Sequence, residues 1–514
     1  MPTEPLKKLV FHLDCNFVSL RLDFVRQLLE TVASLGYRAI LWELENQVQW
    51  ETCPECAVPD SWNKAEFREI LAYSRTLNLE PIPLLQTIGH GEYVMSHERY
   101  HAFREHPEYS DCYCVSNPAV RRFLKKWIDE ICDLFGSIRH FHLGGDEAYR
   151  FGTCKHCAAR ERNDLYAEHL DDLAAGLQHR RIRPGIWHDM ILSHPETVDR
   201  ISTGYLIWDW NYTAGIGKTE KVRIWGVGDV TRETLTPEQY IRFPEILDSN
   251  KEWNPFYTTD FLINRGYDVV LCSAARSSQD GPFCPNISCH ADNIAAVTAK
   301  VRTAGLAGHC VTSWALRLNP VLAGIPLLHL PVQCDRSPQF SLPDIERTLA
   351  VEHFGFAEGW EGAKHLSACD YRVRIFSAIQ WSGLKDSRPA PAHYLRSWIK
   401  RWLEEDEPFW PGRNEMLDAM IQSTQSGLAI LQPHASQTPL ATLWVRAGLL
   451  QLQYLRMLRE LLSPPSKQPT LHLELETLRE EMIEFYSTEQ TTASACKNAA
   501  LILDPLLEYL EDRQ

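Results

Sequence analysis

RHFHLGGDEAYRFGTCKHC, residues Arg139 to Cys157, sets an apolar run, two glycines, two adjacent carboxylates and a CxxC pair in one short stretch. An apolar run that stops at Gly144-Gly145 reads as a buried strand whose end admits unusual dihedrals or a close backbone approach. Asp146 and Glu147 then stand directly at that strand end. Outward from this stretch the same unit recurs. "LVFHLD" precedes the amphipathic "LDFVRQLLETVASLG", "YRAILWELE" precedes "NKAEFREILAYSRTLN", and "LEPIPLLQTIGH" precedes "NPAVRRFLKKWIDEICDLFG". "IRPGIWHDMI", "ISTGYLIWDW", "YDVVLCSAAR" and "GHCVTSWALR" follow, with helical patterns between them. Strand-like runs alternating with helices imply parallel strands and helical crossovers. Eight such units predict an α/β chain with a (β/α)8 TIM barrel over residues 1–345. The rival, a doubly wound open sheet, lacks support because "HLDCNF" after the first strand carries no glycine-rich phosphate turn. From 346 to 514 the strand pattern gives way to helical spacing, including "YRVRIFSAIQWSGL" and "AHYLRSWIKRWLEE". We read an all-helical C-terminal domain that serves helix packing or a homodimer contact, with Trp398, Trp402 and Trp410 in that packing.

In such a barrel the functional side chains gather at the C-terminal ends of the strands. The polar residues there are Asp14, Glu43, Glu45, Gln86, His90, Asp146, Glu147, His188, Asp189 and Asp209. As a set they predict a polar pocket. Two carboxylates sharing a partly buried cavity raise one another's proton affinity, so one acid stays protonated near neutrality beside a permanent anion. That pairing can cleave an acetal. The sixteen tryptophans include Trp187, Trp208, Trp210 and Trp314 at or near strand ends, where indole planes suit the C–H faces of a sugar.

"HFHLGGDEAYRFGTC" resembles the H-x-G-G-D-E signature of family 20 glycoside hydrolases, the β-N-acetylhexosaminidases. "PIPLLQTIGH", "GIWHDM", "LIWDW" and "VTSWAL" agree in order with that family's third, fifth, sixth and eighth strand ends, and the likeness is nearest to the hexosaminidase D-like subgroup. The resemblance implies Glu147 as the acid that protonates the leaving oxygen and later the base that activates water. It implies Asp146 as the partner of the substrate's 2-acetamido group, whose oxygen attacks the anomeric carbon in place of an enzyme nucleophile. Trp187, Trp208 and Trp314 would wall the sugar, Asp189 and Asp209 would meet its hydroxyls, and His90 would orient the acid pair. Three positions depart from the family. Asn16 stands near the place of the usual arginine after the first strand, with Arg21 somewhat later. "CSAARSSQD" lacks the usual tyrosine, and Leu316 replaces an acid. The activity implied is an exo-acting, retaining β-N-acetylhexosaminidase that releases terminal GlcNAc or GalNAc from an oligosaccharide or small glycoside and needs no cofactor.

Two CxxC pairs, Cys53/Cys56 after the second strand and Cys154/Cys157 after the fourth, can supply the four thiolates of a structural zinc. Cys112, Cys114 or His156 could substitute as ligands; free thiols and disulfides are the other readings. The net charge of −15 argues against nucleic acid and against anionic membranes. The N-terminus lacks a charged-then-apolar leader, so a cytoplasmic chain is expected. Two further readings of the site remain. One is a metal-dependent barrel hydrolase liganded by Asp146, Glu147, His188 and Asp189; the other is a sugar-binding protein without catalysis.

Overall fold

The computed structural model describes residues 8–512 apart from 17, 278–279, 316–317, 337–340, 368–399, 405–411 and 463–469. The helices read in "YRVRIFSAIQWSGL" and in most of "AHYLRSWIKRWLEE", together with Trp398, Trp410 and Leu316, lie outside the described residues.

The strands, in chain order, are β1 (Lys8–Asp14), β2 (Ala39–Glu43), β3 (Glu80–Leu84), β4 (His140–His142), β5 (Arg183–Trp187), β6 (Leu206–Trp210), β7 (Lys221–Ile224), β8 (Gly228–Thr231), β9 (Asp268–Arg276) and β10 (Gly308–Ser313). Eight of them close a parallel barrel in the order β1-β10-β9-β6-β5-β4-β3-β2. These are the eight runs read from the sequence. β7 and β8 form a separate antiparallel hairpin inserted between the sixth and seventh barrel strands, and the sequence reading did not include it.

Period-two alternation decides which side chains fill the barrel. Val10, Leu41, Ile82, Leu84, Trp187, Leu206, Trp208, Val270, Cys272 and Cys310 form the interior cluster. Their neighbours Ile40, Ile186, Ile207 and Val269 belong to the outer core against the helices. The crossover helices start where capping chemistry directs. Asn63 accepts from the backbone of Ala65 and Glu66 ahead of Lys64–Thr76, and Asn117 accepts from Ala119 ahead of Pro118–Phe135.

After β10 the described chain is helical. Residue 345 falls inside the helix Leu342–Phe354. The last two helices, Leu471–Tyr486 and Thr492–Glu511, return to the barrel's C-terminal rim. There the Glu489 carboxylate accepts the backbone N–H groups of Val321 and Leu322, both at 2.8 Å, and the Arg21 N–H donates to the Glu489 carbonyl. Trp402 is buried in this helical layer. No helix among the described residues is long and apolar enough to cross a membrane.

Candidate active site

The acid pair owes its position to a strand that stops early. β4 is three residues long, and the backbone then turns through Gly144 and Gly145 at φ +65° and +93°. A Cβ on Gly144 would lie 2.1 Å from Gln86 Oε1, so the β3 and β4 loops approach as only glycine permits. His142 fixes this turn. Its Nδ1 accepts the Gly144 N–H at 3.0 Å, and burial lowers the imidazole pKa to about 3, which keeps that nitrogen's lone pair available.

Asp146 is buried, whereas Glu147 is half-buried, with 22% of its side chain exposed. His90 faces both: its Nε2 lies 3.2 Å from Asp146 Oδ2 and 3.5 Å from Glu147 Oε2. Glu147 and His90 hold positive φ angles of 45° and 52°, a region unfavourable to non-glycine residues and tolerated where surrounding contacts impose it. For Glu147 the contact is Asp189, whose Oδ2 accepts the Glu147 N–H at 2.9 Å. Burial, and next the charge of Asp146, push the Asp189 carboxyl well above the usual range. Tyr149, largely exposed, donates its hydroxyl to Glu147 Oε1 at 3.1 Å.

An aromatic floor fills the barrel interior near the strand ends. Trp187 and Trp208 are fully buried with ring centroids 6.3 Å apart, and Trp314, half-buried, sits 6.0 Å from Trp187. His12 and His142 pack against Trp187 at 6.3 and 4.4 Å. Glu43 is held under this floor by His12 Nε2 and by the Gln86 amide, each at 2.9 Å. Asp14, at the end of β1, accepts the N–H groups of Asn16 and Ala315 at 2.7 and 2.9 Å. Burial and the nearby Glu43 charge raise the Asp14 pKa to about 7 against the opposing pull of His12.

The structure therefore brings together Asp146, Glu147, His90, Asp189, Trp187, Trp208 and Trp314, with half-buried Asn16 at the β1 end of the same rim. It does not bring Asp209. Between inward-facing Trp208 and Trp210, Asp209 points out of the barrel, fully buried, where the Thr258 and Thr259 hydroxyls donate to it at 3.0 and 2.5 Å. The expectation that it meets sugar hydroxyls is corrected: its acceptor capacity is spent on the helix Tyr257–Ile263. His188 is likewise turned away, with Nε2 3.3 Å from Asp209 and its ring against Trp210 and Trp225. Asp146, Glu147, His188 and Asp189 are thus no ligand set, and among the described residues they are absent from the clusters able to hold a metal. Arg21 serves the fold, donating to the Ser487 carbonyl and pairing with Asp23.

The four-cysteine expectation also needs correction. Cys53 and Cys56 are joined to each other by a disulfide across the short turn Pro54–Cys56. The β3 loop lies between them and the other pair, its Arg99 and Tyr100 bonded to Glu55 at 2.6 and 2.8 Å. Cys114 of that loop, not Cys53 or Cys56, meets Cys154 and Cys157.

Tyr149 and Tyr212 escaped the sequence reading. Tyr212 follows β6, stacks on Trp210 at 5.4 Å and accepts the Trp314 indole N–H at 3.1 Å. The hairpin places Trp225 against Trp210 and, with Tyr149, Arg162, Asp189 and Arg223, lines a cavity of about 370 Å³ beside the acid pair.

The chain is thus a closed parallel (β/α)8 barrel whose fourth strand ends in a carboxylate pair. Residues 47–223 match the model of the glycosyl hydrolase family 20 catalytic domain. Hexosaminidase D of Homo sapiens is 27% identical over 238 residues, covering 43% of this chain and 48% of that protein. Hexosaminidase D of Bos taurus is 28% identical over 194 residues, covering 36% and 56%. The chain thus spans about half the length of the curated relatives it matches. Among solved structures, Flavobacterium johnsoniae chitobiase is similar at 14% identity and a TM-score of 0.46, covering 97% of this chain and 78% of that one. The GH20 β-N-acetylhexosaminidase of Streptomyces coelicolor A3(2) is similar at 15% identity and a TM-score of 0.46, covering 68% of each.

Proposed function

We propose that this chain is an exo-acting, retaining β-N-acetylhexosaminidase that uses the substrate's own 2-acetamido group as nucleophile. The observation that carries the reading is the gathering of Asp146 and Glu147 at one nitrogen, His90 Nε2, at the strand ends of the barrel. Glu147, the more exposed acid, protonates the glycosidic oxygen as the bond to the anomeric carbon breaks. The acetamido oxygen forms the new bond to that carbon, giving an oxazolinium ion. Asp146 accepts from the acetamido N–H and stabilises the positive charge. Glu147, now a carboxylate, takes a proton from the water that opens the ring. Attack from within the substrate gains the entropic advantage of a held nucleophile, and two inversions retain configuration. Of the three floor indoles, half-buried Trp314 is the one accessible to the sugar face, and fully buried Trp187 and Trp208 back it. Tyr212, anchored by Trp314, offers a phenol where the family tyrosine is missing after the seventh barrel strand. No cofactor takes part in these steps.

The test is turnover of an aryl β-N-acetylglucosaminide by the wild type, Glu147→Gln and Asp146→Asn. Both variants should retain their fold and lose about 10²–10⁴-fold in kcat, the range for removal of a positioned acid–base group. A thiazoline mimic of the intermediate should bind the wild type tightly. Unchanged turnover in Glu147→Gln would exclude the assignment, and binding of N-acetylglucosamine without any turnover would favour a sugar-binding protein.

A further inference from the structure

Behind the acid pair the same two loops hold a second cluster that the proposed chemistry does not use. Cys114 Sγ, on the β3 loop, lies 3.6 Å from Cys154 Sγ and 3.8 Å from Cys157 Sγ, both on the β4 loop. Glu105 Oε2, also from the β3 loop, lies 3.4 Å from Cys157 Sγ. The four ligand atoms all lie within 4.8 Å of one another. With zinc–sulfur bonds of about 2.3 Å and a zinc–oxygen bond of about 2.0 Å, a tetrahedron sets two sulfurs ~3.8 Å apart and a sulfur and an oxygen ~3.5 Å apart. The three measured edges fall within about 0.2 Å of those values.

The surroundings favour a cation as well. Glu105 is 2% exposed, and among the described residues no lysine, arginine or histidine forms an ion pair with it. A buried carboxylate against three sulfurs, with no positive partner, is an unfavourable arrangement that a divalent cation would reverse. The outer contacts orient the ligands. Glu105 Oε1 accepts the Cys154 N–H at 2.8 Å, which leaves Oε2 to face the sulfurs. The Cys157 N–H donates to Cys154 Sγ at 3.4 Å, and Ser116 Oγ, 3.1 Å from Cys157 Sγ, can donate to a thiolate.

We propose that Glu105, Cys114, Cys154 and Cys157 form a zinc site. Three thiolates and a carboxylate fill the coordination sphere and leave no open position for water, so the site is structural. Its two loops are those of the acid chemistry: the β3 loop carries His90, and the β4 loop carries Asp146 and Glu147. They already touch, since a Cβ on Gly89 would lie 2.3 Å from the Asp146 carbonyl oxygen. The metal would clamp His90 in place over the acids.

The experiment uses the full chain purified under reducing conditions without chelator. Metal analysis should find about one zinc per chain, and cobalt(II) added to the metal-free protein should give tetrahedral visible bands with thiolate-to-cobalt charge transfer. Cys154→Ser should lose the zinc and the charge-transfer band. Cys112→Ser, a buried neighbour outside the cluster, should keep both. If Cys154→Ser does not fold, cobalt titration of the wild type still decides. Metal-free protein as purified with no cobalt–thiolate band, or a disulfide among Cys114, Cys154 and Cys157, would overturn the site. These readouts do not depend on turnover, so failure here leaves the hexosaminidase reading standing, and the reverse.

Discussion

Asp189 gives the sharpest test of how the acid pair is held. Its Oδ2 accepts the Glu147 N–H at 2.9 Å, and Glu147 keeps a φ of 45° that a non-glycine residue adopts only under constraint. Burial and the charge of Asp146 shift Asp189 toward its neutral form, which makes a neutral isostere the apt control. Asp189→Asn preserves shape, neutrality and an acceptor oxygen. Asp189→Ala leaves the Glu147 N–H without a partner. The loss is about 1–3 kcal/mol for a buried donor orphaned in this way. Relaxation of the left-handed backbone, which costs roughly 1–2 kcal/mol to maintain, then drives Glu147 out of position. If the loss falls on the population of correctly placed Glu147, kcat drops about 5- to 150-fold, toward the lower end because the site is only partly shielded. Kinetics on an aryl β-N-acetylglucosaminide should show that drop for Asp189→Ala, with Asp189→Asn within about threefold of wild type. Equal losses in both variants would mean that the charge matters and the acceptor does not. Wild-type activity in Asp189→Ala would mean that Asp189 does not position Glu147 at all.

Tyr149→Phe removes a hydroxyl that donates to Glu147 Oε1. The Glu147 carboxyl loses a hydrogen bond worth about 0.5–1.5 kcal/mol, so kcat should fall by about 2- to 12-fold; an unchanged kcat would contradict a role for this donor. Asp14 makes a prediction about stability. Its pKa is about 7 in the fold against 3.8 as the ordinary value, so the native state holds the proton more tightly than the unfolded chain. The stability this contributes is complete below the unfolded pKa and is lost as pH rises through about 7. Denaturant unfolding between pH 4 and 7 should therefore have a shallower pH slope in Asp14→Asn, by up to about 1.4 kcal/mol per pH unit, and an unchanged slope would show that Asp14 titrates normally.

The barrel was legible because two periodicities fix it. Short apolar runs and helices alternated eight times, and a closed parallel sheet then left the chain few choices for where its strand-end residues go. Asp146 and Glu147 could be placed from Gly144 and Gly145 alone, since that turn admits only glycine where Gln86 approaches. Asp209 was misplaced although the signal against it was local. In W-D-W, inward Trp208 and Trp210 force the residue between them outward, where Thr258 and Thr259 of the helix Tyr257–Ile263 donate to it. The family likeness offered Asp209 as a partner of sugar hydroxyls, and the strand's alternation overrules it.

The cysteines failed for a different reason. CxxC spacing states that two sulfurs can share a partner, but it does not state which loop arrives beside them. In a barrel, loops on neighbouring strands are neighbours, and the β3 loop, standing between the β2 and β4 loops, excludes the pairing of Cys53 and Cys56 with Cys154 and Cys157. Topology therefore favoured Cys114, one of the alternatives the sequence offered. Nothing in the spacing marked Glu105, whose relevance comes from burial without a cationic neighbour. The same order of loops gives the cluster its consequence. His90 belongs to the third loop and the acids to the fourth, so a clamp between Cys114 and the Cys154/Cys157 pair joins the two loops that meet at His90 Nε2. A loosened cluster should act first on the geometry of proton transfer and only later on the barrel, whose core lies on the other side of the strand ends.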